Sequence, residues 1–271
     1  DIFRQWLLLK EGKGPKSCFA LWACLFQNLD KCSLNPQEHS RYSEIINSNM
    51  ATYISASFDF YQNHEDHYKD INLLEPHMMA LLLKSDVLEV TLEAFVLEAV
   101  FSWARLALNE AGRMKLAEEF SCGCTTFYAV TSVEPSNQDS ELIAGTIVAL
   151  HSSNDRVEIR LKDSSLVERH LNQVEIYKDM SLLLPLVRFP FILIDEEYEV
   201  IIDYHHTLLH YLNVGQALLR EAFTIKTEWT MNNENMLSQH IQDFPIISTI
   251  FRDAQHRYDL HKKRLCRRKF G

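Results

Sequence analysis

Histidine and cysteine are the side chains whose spacing in this sequence could do chemistry. His64 and His67, in "HEDHY", stand three apart with two acids between them. On a helix they could share a face and hold a metal ion. The order is not H-E-x-x-H, however, so a solvated helix face or loop is the expected reading. His206 and His210, in "YHHTLLH", are four apart and pose the same question with the same expected answer. Cys122-Gly-Cys124 lacks the second pair a zinc site needs and is too close-set for a C-x-x-C redox motif. No G-x-S-x-G, P-loop or G-x-G-x-x-G stretch occurs, and no pair of acids forms a recognisable acid/base couple. The expectation is a chain without catalytic residues, bound metal or cofactor.

Composition narrows the classes further. The 271 residues are 46% hydrophobic with only 7 Gly and 7 Pro, which suits a packed core with few tight turns. The net charge of −10 gives no general pull toward nucleic acid or anionic membrane. The exception is the end of the chain, where eight Lys/Arg between Arg252 and Lys269 face two acids, Asp253 and Asp259, a balance of +6. That tail, "HKKRLCRRKFG", could serve nuclear import or nucleic acid, with a solvated helix end or linker as the plainer reading. Six irregularly spaced cysteines argue for reduced, mostly buried thiols and a cytoplasmic or nuclear protein. No apolar run is long enough to span a membrane and no signal peptide is evident. The chain begins at Asp1 rather than Met, which fits a piece of something longer.

Apolar spacing predicts the elements that would position these groups. Phe19, Trp22, Leu25 and Phe26 recur at helical intervals, as do Ile45, Ile46, Met50, Tyr53 and Ile54. "LLEPHMMALLL" reads as a helix with Pro76 in its first turn. Ser85-Asp86 then breaks it, because both side chains bond to nearby backbone and compete with helix continuation. The next helix carries Val96, Ala99, Val100, Trp103 and Ala107 on one face, with Thr91 as N-cap and Glu93 in its first turn. Together the two form a helical hairpin. From about residue 113 the character changes. "CTTFYAVTSV" is β-branched and aromatic, and "LIAGTIVAL" with "RVEIRL" reads as a β-hairpin. Helix is expected to resume over residues 166–191, punctuated by Pro185 and Pro190, and again over 195–225 and 236–264. The predicted fold class is mainly α: stacked helical hairpins with a small β insertion.

One set of segments resembles a known family. Ser85-Asp86-x-Leu88-x-Val90-x-x-Glu93, followed by a helix ending at Trp103, resembles the BACK domain of BTB-BACK proteins. "MATYISASFDFY" (50–61) is similar to the family's helix end, with Ser57 where Asn is usual. "LLPLVRFPF" (183–191), which holds Val187, Arg188, Phe189 and Pro190, and "QALLREAF" (216–223) are similar to two later segments. Leu92 departs from the family's small polar residue. The resemblance divides the chain into residues 1–45, a helical linker and the end of a BTB region; 46–112, the first part of a BACK-like domain; 113–175, an insertion the ordinary BACK domain does not have; and 176–271, the second part with the basic tail. It implies a non-catalytic scaffold, the BACK portion of a substrate adaptor for a Cullin-3 ubiquitin ligase. Its partners would be a cullin, reached through a BTB region not seen here, a protein substrate and a second copy in a homodimer. It also implies that Arg188, which needs an acid if buried, pairs with Asp86 or Glu93. The hairpin and the segment around Val187 and Phe189 would then form one pillar. The competing readings are a metal or thiol enzyme using the His and Cys residues, and a nuclear regulator using the tail.

Overall fold

In a computed structural model the chain divides into two compact units. The residues described are 17–58, 70–88, 90, 93–123, 125–132, 142–151, 155–189, 192 and 199–231.

The helical unit comprises residues 17–103 together with Leu186–Arg188. Its helices are α1 (Cys18–Asp30), α2 (Pro36–Ser55), α3 (Pro76–Lys84) and α4 (Glu93–Ala104). Local chemistry explains where each begins. The Ser17 hydroxyl accepts the Ala20 N–H and donates to Asp70 Oδ2 at 2.6 Å, capping α1 and tying it to the turn before α3. Asn35 and Glu38 form a reciprocal capping box at α2, with Pro36 in the first turn, where its missing N–H costs nothing. Phe19, Trp22, Ile54, Phe58, Met78 and Leu82 are fully buried among these helices. The polar groups that accompany them inside are paired. The Trp22 indole N–H donates to Asn47 Oδ1 at 2.9 Å, and the Ser55 hydroxyl donates to the Leu82 carbonyl at 3.2 Å.

The second unit comprises Ala104–Pro185 and 189–231 of the described residues. After α5 (Glu110–Cys122) come five strands: β1 (Phe127–Ser132), β2 (Leu142–His151), β3 (Arg156–Arg160), β4 (Leu166–His170) and β5 (Val174–Lys178). All pair antiparallel in the order β4-β3-β2-β1-β5. The first four make a meander, and a 3-10 turn at Leu171–Gln173 returns β5 to the free edge of β1. Alternation sets the buried face: Phe127 and Ala129, Val157 and Ile159, Val174 and Ile176 point into a core that α5 covers with Leu116. Helices α6 (Glu199–Tyr211) and α7 (Asn213–Met231) complete the unit, α6 lying against β2 and β1.

This corrects the predicted fold class. The β region is not a small insertion in a mainly α protein. It is a five-stranded antiparallel sheet with its own core, in a unit that takes in the helices before and after it. The helix expected over residues 166–191 is, in its first half, β4, the 3-10 turn and β5. Val167, Leu171 and Val174 mimic helical spacing, and the edge strand β4 hides its period because both of its faces are wet. The single pillar is corrected as well: Val187 and Arg188 belong to the helical unit, whereas Phe189 belongs to the sheet unit.

Candidate functional site

The Ser85-Asp86 step is a turn. Ser85 leaves the helical region (φ −61°, ψ 129°), its N–H still bonding to the Leu82 carbonyl, and its own carbonyl accepts the Leu88 N–H at 3.1 Å. Asp86 is exposed; Ser85, Leu88 and Val90 are half-buried. The chain then re-enters helix α4 at Glu93, whose side chain is only 7% exposed. Its carboxylate makes a two-pronged clasp on Arg188. Oε1 accepts the Arg188 backbone N–H at 2.9 Å, and Oε2 lies 3.4 Å from Arg188 Nη1. Of the two acids considered, Glu93 is therefore the one that takes Arg188. The clasp neutralises a guanidinium group whose side chain is 13% exposed and satisfies a backbone donor in one step.

Trp103, at the other end of α4, is 1% exposed, and its indole N–H donates to the Leu74 carbonyl at 2.8 Å. Leu74 ends the 3-10 turn that leads into α3, so this bond fixes α4 against the entry to its hairpin partner. Val187 and Phe189 are each 1% exposed in their separate units. Pro190, Thr91, His64, His67 and the basic tail lie outside the described residues.

The other histidines do form a pair. His206 and His210 are exposed on α6, with ring centroids 4.5 Å apart. They line a cleft of about 680 Å³ in the sheet unit with Leu142, Ala144, Leu161, Lys162 and Tyr211. Partial burial, then the neighbouring His206, Lys162 and Arg220, hold the His210 pKa below its ordinary value. No group of three His, Cys, Asp or Glu side chains among the described residues could hold a metal ion. The cysteines differ from expectation. Cys18 and Cys24 are half-buried, Cys32 is exposed, and Cys122 is disulfide-bonded.

Sequence spacing missed Tyr211, which lines the cleft. The Tyr211 hydroxyl accepts the Thr146 N–H at 3.1 Å and donates to the Arg160 carbonyl at 3.1 Å, bridging β2 and β3 where their ladder ends. Tyr128 meets the Tyr211 ring edge-on, with centroids 6.0 Å apart. Burial, then Asp179 and Tyr211, raises the Tyr128 pKa above its ordinary value. These residues are too far apart in sequence for any local pattern to unite them. The sole hint was a tyrosine beside the histidines.

No family model, curated protein or solved structure matches the chain.

Proposed function

We propose that the chain is a non-catalytic protein-interaction scaffold that works as the BACK-like portion of a BTB-BACK substrate adaptor for a Cullin-3 ubiquitin ligase. One observation carries this reading. Glu93 closes the Ser-Asp motif and Arg188 sits in the "VRF" segment; the two lie 95 positions apart and clasp each other. The segments that carry the family resemblance are thereby joined by a bond that neither segment predicts alone. The chemistry of the clasp also suits a spacer. A carboxylate already committed to a guanidinium and a backbone N–H fixes geometry instead of serving as a base.

In this role the helical unit sets a fixed distance between the cullin side and whatever the partner surface holds. The adaptor reading is tested with the full-length natural protein and the purified amino-terminal domain of Cullin-3, mixed at roughly micromolar concentration and separated by size with light-scattering detection. Co-elution at a fixed stoichiometry is the expected result. Separate elution at these concentrations overturns the cullin assignment.

A further inference from the structure

We draw no further inference here: the strongest candidate, the pocket of about 530 Å³ where Tyr128, Arg160, Lys162 and Ser181 meet the first residues of α7, rests on a helix N-terminus with no second observation that points to a ligand, and Lys162 already donates to the His210 carbonyl at 3.3 Å.

Discussion

Glu93, Trp103 and Glu221 show how differently three polar groups fare when they leave water. Glu93 and Trp103 are matched: one binds Arg188 twice, the other the Leu74 carbonyl. Trp103→Phe removes the indole N–H, leaves that carbonyl without its partner and opens space in a filled core. It should cost about 2–3 kcal/mol in chemical denaturation. Glu221 is the unmatched case. Its Oε2 is enclosed without a hydrogen-bond partner, and burial raises its pKa above the ordinary value of 4.5. A raised folded-state pKa means that the favourable protonated form contributes fully below the unfolded value and is lost as pH rises through the folded one. Near neutral pH the ionised group therefore weighs against the fold. Glu221→Gln should raise the thermal midpoint at about pH 7 and leave it unchanged at about pH 4. A midpoint that falls at neutral pH would contradict this.

At the scale of elements, the sheet depends on one close approach. A Cβ at Gly145 would lie 2.4 Å from Ile159 Cγ2 and 2.7 Å from the Arg160 carbonyl. Gly145→Ala must therefore push β2 and β3 apart beside the Tyr211 bridge, and should cost about 1–3 kcal/mol in denaturant unfolding. Legibility in the sequence followed the same physics. The helices over residues 18–55 and 76–84 were readable because one face is buried and the other wet, which writes a clear period into the chain; α4 has no exposed face and was readable from its long apolar, Gly- and Pro-free run. The β2–β3 hairpin was readable because Val157 and Ile159 alternate with charged residues. Edge strand β4 was not, since neither of its faces is consistently apolar. Nor was the pairing of β5 with β1, which joins segments about fifty positions apart and depends on the 3-10 turn between β4 and β5.

At the scale of the molecule, the scattered histidines gave no sign of the cleft that His206, His210 and Tyr211 line together, because such a cleft is assembled by tertiary neighbours. The resemblance did pick out the Glu93 and Arg188 segments, because a buried arginine demands an acid and few positions can supply one. The scaffold reading predicts that prolonged dialysis against a chelator leaves the unfolding midpoint unchanged; a large drop would reveal a structural metal. It also makes the clasp the bond that holds Leu186–Arg188 in the helical unit. The most direct test of that claim is a double-mutant cycle on Glu93→Ala and Arg188→Ala, followed by denaturant unfolding. Breaking a buried ion pair from one side typically costs about 3–5 kcal/mol. The predicted outcome is that each single variant is strongly destabilised, the double variant is little worse than either, and the coupling energy is about 2 kcal/mol or more. Additive losses, with coupling near zero, would show that the two residues stabilise the fold independently and would contradict the account.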